Sequence, residues 1–153
     1  MALFPDFRDL LAEFAACDVE FVPLGGYAVA FHGRPRSTKD IDFLVSTSPE
    51  NRARLANALN RFCAPESIVE GARQLSSDEV LYFGVDPTRV DILGSASGVT
   101  FGPVFERAVI AELDGIAVRV ISRDDLITNK LASGRPRDLQ DAEELLKFGP
   151  HDE

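Results

Sequence analysis

At 153 residues with 45% hydrophobic side chains, the chain is sized for one domain, residues 1–153, with a substantial core. No apolar stretch approaches the ~20 residues of a membrane span, and the opening MALFPDFRDLL lacks the basic and long apolar regions of a signal peptide, so a cytoplasmic protein with no membrane partner is expected. The net charge of −9 excludes a general nucleic-acid binder, yet six of the 16 basic residues fall in two short clusters, Arg34/Arg36/Lys39 and Lys130/Arg135/Arg137, which point to local anion binding or to solvated surface.

In chain order, residues 5–16 read as an amphipathic helix with Phe7, Leu10, Leu11 and Phe14 on one face. Val19–Leu24 is a short strand ending at Gly25-Gly26, and Tyr27–His32 supplies one or two helical turns stopped by Gly33 in the left-handed position. Asp40–Val45 is a strand. Ser48 caps a helix that opens on Pro49 and reaches about Phe62. Residues 64–77 read as irregular or partly helical. Glu79–Val85 and Arg89–Leu93 read as strands and antiparallel neighbours, and Phe101–Ala108 as a short helix. VIAELDGIAVRVI, residues 109–121, is a hairpin about Asp114-Gly115. Ser122 with Asp125 resembles a capping box for a helix to Ser133, Gly134 stops it, and a last helix runs from Pro136 to about Phe148 before a fraying GPHDE. Strands, helices and hairpins together predict an α+β fold with a mixed sheet.

Cys17 and Cys63 read as buried free thiols on helical faces, and the two histidines offer no zinc spacing. His32 reads as a cap or packing residue, and Tyr82-Phe83 as core.

The carboxylates carry the chemistry. In a strand, Asp40 and Asp42 share one face while Ile41, Phe43 and Val45 share the other. Two neighbouring carboxylates repel; a divalent cation such as Mg²⁺ resolves the conflict, and a solvated strand end is the plain alternative. Asp91, between Val90 and Ile92, is costly in a buried strand unless something pairs with it. Beside the first strand it would complete a three-carboxylate cluster able to hold two metals for phosphoryl transfer. Gly25-Gly26, at a strand-to-helix turn, would let backbone N–H groups approach a phosphate.

Gly25-Gly26, thirteen residues, then Asp40-Ile41-Asp42 in a strand and a later isolated Val90-Asp91-Ile92 resemble the nucleotidyltransferase superfamily that includes DNA polymerase β. More narrowly, GGYAVAFHG, RSTKDID and KLASGRPRDLQD are similar to small bacterial nucleotidyltransferases related to the AbiEii toxins, over about residues 19 to 145. The resemblance implies a polymerase-β-like core in which Asp40, Asp42 and Asp91 bind Mg²⁺ and Gly25 and Gly26 hold the NTP. It matches Lys130 to a phosphate-contacting lysine and Asp138 to a later acid near the site. Many members carry serine where Gly26 stands, which here leaves backbone contacts alone. Read from the residues themselves, Lys130 also fits a snorkelling side chain, and Asp138 and Asp141 fit helix-dipole partners. Arg36 and Thr38 fit phosphate contact or loop orientation.

The resulting expectation is a Mg²⁺-dependent enzyme moving an NMP, from ATP or another NTP, to a hydroxyl on a tRNA end, a partner protein or a small molecule. A toxin–antitoxin role is implied, with an antitoxin partner or a second subunit completing the cleft. The alternative is a nucleotide- or partner-binding, antitoxin-like module with the fold but no turnover.

Overall fold

A computed structural model describes residues 3–33 and 40–148. Its elements run α1 (Pro5–Ala16), β1 (Phe21–Leu24), α2 (Gly25–His32), β2 (Asp40–Val45), α3 (Pro49–Arg61), α4 (Glu66–Arg73), β3 (Val80–Phe83), β4 (Arg89–Leu93), α5 (Phe101–Arg107), β5 (Val109–Leu113), β6 (Ile116–Val120), α6 (Arg123–Ser133) and α7 (Pro136–Phe148). The expected α+β architecture with a mixed sheet is what forms. Among the described residues no helix is long and apolar enough to cross a membrane.

Four strands make the central sheet in the order β1-β2-β4-β3. β2 is antiparallel to β1 and parallel to β4, and β3 closes the far edge antiparallel to β4. The parallel pair needs a crossover, which α3 and α4 provide. α4 occupies Glu66–Arg73, within the stretch read as irregular or partly helical. β5 and β6 form a separate two-stranded sheet about Asp114 (φ 54°) and Gly115 (φ 85°), the paired left-handed residues of a tight hairpin turn. It joins the first sheet where Ile121 N–H donates to the Pro23 carbonyl at 3.2 Å.

Strand alternation sorts β2 as the sequence predicts. Ile41, Phe43 and Val45 are fully buried, and the Phe43 ring meets Phe14 and Phe21 edge-on at 5.2 and 5.4 Å between centroids. α1 packs on α3 over this face. Asn51 ties the ends of β1 and β2 together from inside: its amide donates to the carbonyls of Glu20 (3.0 Å) and Ser46 (2.8 Å) and accepts from Glu20 N–H (2.7 Å). The opposite face of the sheet carries Asp40, Asp42 and Asp91 and is left for the site.

Three local expectations are corrected. Gly33 ends α2 at φ −130°, outside the left-handed region. A Cβ there would sit 3.1 Å from the Val29 carbonyl oxygen, which accepts from Gly33 N–H, so tight packing is what favours glycine. Neither cysteine is fully buried: Cys17 is half-buried and Cys63 exposed, because α1 and α3 end one and two residues before them. Cys63 lies at φ 68°, in the left-handed turn after α3. Tyr82 is not core; it is 60% exposed, on the outward-facing side of the edge strand.

Candidate active site

The parallel register of β2 and β4 sets Asp42 directly opposite Asp91, and Asp40 opposite Arg89. One ligand oxygen from each of Asp40, Asp42 and Asp91 lies within 4.8 Å of the other two. The strand alternation read from the sequence therefore places three carboxylates on one face, each half-buried. Burial first, then a hydrogen bond shared with Asp91 and the nearby charge of Asp40, push the Asp42 carboxyl up to about 7. Arg89 partly offsets the crowding, its Nε donating to Asp91 Oδ1 at 3.0 Å.

Gly25 makes this packing feasible. It sits at φ 71°, which L side chains rarely adopt, and a Cβ there would overlap the Asp42 carboxylate. The strand β1 can thus turn into α2 hard against the acids. Leu24, the N-cap residue of α2, offers no capping side chain, and the first helical residues, Gly25 and Gly26, line the same cleft as the carboxylates.

The cleft has a volume of about 580 Å³. α6, α7 and the turn between them contribute Lys130, Arg135, Arg137, Asp138 and Asp141. Ser122 caps α6 by accepting from Asp125 N–H (3.1 Å), and Gly134 ends it at φ 70°, so α7 returns with its first turn beside Lys130. Lys130 is buried, not snorkelling: Nζ is 3.0 Å from Asp138 Oδ1 and 3.2 Å from Asp141 Oδ2. Burial raises the Asp138 carboxyl, but hydrogen bonds from Ser133, Lys130 and Arg135 outweigh it and hold the group down to about 2.

Of the residues singled out in the sequence, Gly25, Gly26, Asp40, Asp42, Asp91, Lys130 and Asp138 meet in this one cleft. Arg36 and Thr38, with Arg34 and Lys39, lie outside the described residues. His32 packs elsewhere, its Nε2 2.7 Å from the Ile121 carbonyl. Sequence reasoning did not place Asp141, Ser133, Asn129 or the serines after β4, Ser95 and Ser97, in the site. The Arg135-Pro136-Arg137 run just before Asp138 was the available signal for that wall.

The donor set suits a hard divalent cation, since three carboxylate oxygens converge with no thiolate or imidazole among them. Charge makes the same demand. The described lining holds five carboxylates against three basic side chains, a formal −2, so a polyanionic triphosphate needs cations to enter.

A family model described as the nucleotidyl transferase AbiEii toxin of type IV toxin–antitoxin systems matches residues 9–153. Among solved structures, the chain is similar to a candidate nucleotidyltransferase from Thermotoga maritima, with a TM-score of 0.56 and 15% identity over 94% of this chain and 91% of that one. At that identity the likeness is one of fold. No curated protein matches the sequence. A mixed sheet that gathers three carboxylates beside a glycine turn accords with the family match over nearly the whole chain: this protein belongs to the AbiEii nucleotidyl transferase toxin family and is a nucleotidyltransferase.

Proposed function

We propose that the chain acts as a single nucleotidyltransferase domain that transfers an NMP from an NTP to an acceptor hydroxyl, with Asp40, Asp42 and Asp91 holding Mg²⁺. The observation that carries this reading is the convergence of the three carboxylates, within 4.8 Å, in a cleft shared with Gly25-Gly26 and Lys130. Bound there, the metal would neutralise phosphate oxygens and acidify the acceptor hydroxyl. Backbone N–H groups at Gly25 and Gly26 bind the triphosphate at the uncapped helix end. Lys130, Arg135 and Arg137 stabilise the negative charge that grows on the leaving group.

The acceptor oxygen forms a bond to the α-phosphorus while the bond from that phosphorus to the bridging oxygen breaks. The electron pair departs with pyrophosphate. The acceptor proton passes to an oxygen of Asp91 or to water. Family membership favours a toxin working in the cytoplasm with a cognate antitoxin as partner.

The test is incubation of the protein with each labelled NTP, Mg²⁺ and either total tRNA or cell lysate. Labelled product with pyrophosphate release, lost in Asp42→Asn, is the expected result. Mg²⁺-dependent NTP binding without transfer to any acceptor would favour a binding module instead.

A further inference from the structure

Arg89 and Asp91 stand two residues apart in β4, so strand alternation puts both on the carboxylate face. The register sets Arg89 beside Asp40 and Asp91 beside Asp42, with Tyr82 next to Asp91 on the other side. Arg89 Nε donates to Asp91 Oδ1 at 3.0 Å, and the guanidinium carbon lies 4.7 Å from the centroid of the Tyr82 ring. Diagonal neighbours on a sheet are within reach of such long side chains. Neither Arg89 nor Tyr82 lines the cleft, so any effect of the pair on a bound ligand passes through Asp91. Lys130, the other cation near the three carboxylates, is bonded to Asp138 and Asp141 instead.

An ion pair this close to water contributes little by charge alone. The Arg89 side chain is 44% exposed, and solvent screens it. The direction of its hydrogen bond is not screened. Asp91 is only 17% exposed and stands opposite a second carboxylate, Asp42, from which it turns away unless something holds it. A guanidinium keeps its charge at every working pH, presents its donors in a fixed plane and stacks on aromatic faces. One that is both stacked and hydrogen-bonded holds its partner in a single rotation.

We infer that Arg89 is a positioning residue for the third carboxylate: braced on Tyr82, it fixes the rotation of Asp91 and thereby the oxygen that Asp91 presents to a divalent cation shared with Asp40 and Asp42. The donor set fits such a cation, and the inference rests on that reading of the cleft. Groups that orient a metal ligand are typically worth about 10- to 100-fold in metal affinity. The sign of the effect separates orientation from charge. A guanidinium acting by charge alone repels the cation, and its removal tightens metal binding. One acting by orientation leaves binding weaker when it is removed.

The experiment titrates Mn²⁺, which suits the same carboxylate ligands as Mg²⁺, into nucleotide-free protein and follows the electron paramagnetic resonance signal of the unbound ion. Arg89→Met keeps apolar length and should weaken Mn²⁺ binding about 10- to 100-fold. Arg89→Lys keeps the charge but loses the fixed Nε donor, and should stay closer to Arg89→Met than to the wild type. Tyr82→Ala should cost at most about 5-fold, the range of an exposed cation–π contact, and Tyr82→Phe less than about twofold. In an Asp91→Asn background, Arg89→Met should cost nothing further. Wild-type or tighter Mn²⁺ binding in Arg89→Met, full recovery by lysine, or a loss that persists in Asp91→Asn overturns the inference. A wild type that binds no Mn²⁺, or binds it no better than Asp42→Asn, overturns the metal reading of the cleft and this inference with it. Binding that is lost in Asp42→Asn but unchanged in Arg89→Met overturns the positioning role alone.

Discussion

Lys130 and Asp138 form a buried ion pair, Nζ to Oδ1 3.0 Å, in the wall of the cleft. Because Asp141 shares the same ammonium, Lys130→Met strands two carboxylates in the interior. Breaking a buried pair this way typically costs about 3–5 kcal/mol, and loss of charge at the leaving group costs about 10²–10³ in rate. We expect the variant to unfold at lower urea and to transfer far more slowly. Adding Asp138→Asn should recover part of the stability and none of the rate. Single-turnover transfer at the wild-type rate in Lys130→Met would remove Lys130 from the chemistry.

Acid should reveal the Asp138 pair. Its carboxyl is held down to about 2, below its unfolded value of 3.8. The folded state therefore binds fewer protons in this window, and the stabilisation is complete above the unfolded value. It is lost as pH falls through about 2. The stability difference between wild type and Asp138→Asn should be on the order of 2 kcal/mol near neutrality and shrink from pH 4 downward. A pH-independent difference in paired denaturation curves would contradict it.

Asp42 predicts the opposite sign. In the metal-free protein its carboxyl is pushed up to about 7, so the folded state retains a proton that the unfolded chain releases at lower pH. Stability from this group falls as pH rises from 3.8 toward 7. In chelator at pH 8, Asp42→Asn should melt higher than the wild type; at pH 4 the two should coincide. Mg²⁺ should then raise the melting temperature of the wild type alone. Equal Mg²⁺ shifts in both proteins would place the metal elsewhere.

Gly25→Ala combines two faults, a left-handed backbone and a methyl group driven into the Asp42 carboxylate. Backbone strain of this kind costs about 1–3 kcal/mol. Calorimetry should show Mg²⁺-dependent NTP binding weakened more than tenfold, on the order expected when a positioned ligand moves. Full NTP affinity in a correctly folded Gly25→Ala protein would mean that the turn need not touch the carboxylates.

Much of this was legible in the residues because alternation has a fixed period. Asp40 and Asp42 stand out against Ile41 and Phe43, and Asp91 against Val90 and Ile92, so their shared face follows once the strands are drawn. The hairpin at Asp114-Gly115 and the cap at Ser122 are local chemistry and read directly. What did not read were relations across elements. Lys130 meets its partners eight and eleven residues on, in another helix, so its own helical spacing looked like surface. Tyr82 alternates like a core residue, but β3 is an edge strand and Tyr82 takes its outward face. Asn51 looks polar and external in α3, yet it is fully buried because it pairs with backbone of Glu20 and Ser46.

The three cations of the α6–α7 wall act inside a molecule whose net charge is −9. Seen from afar the protein repels a polyanion, and within the cleft the local potential would turn in its favour only with a divalent cation on the three carboxylates. Monovalent salt screens the distant field first, with a Debye length of ~10 Å at 0.1 M, while the partly buried charges at Lys130 are shielded much less. Capture of nucleotide should therefore speed up with the first additions of salt before it slows, the reverse of the steady decline seen when a basic surface gathers its substrate by long-range attraction.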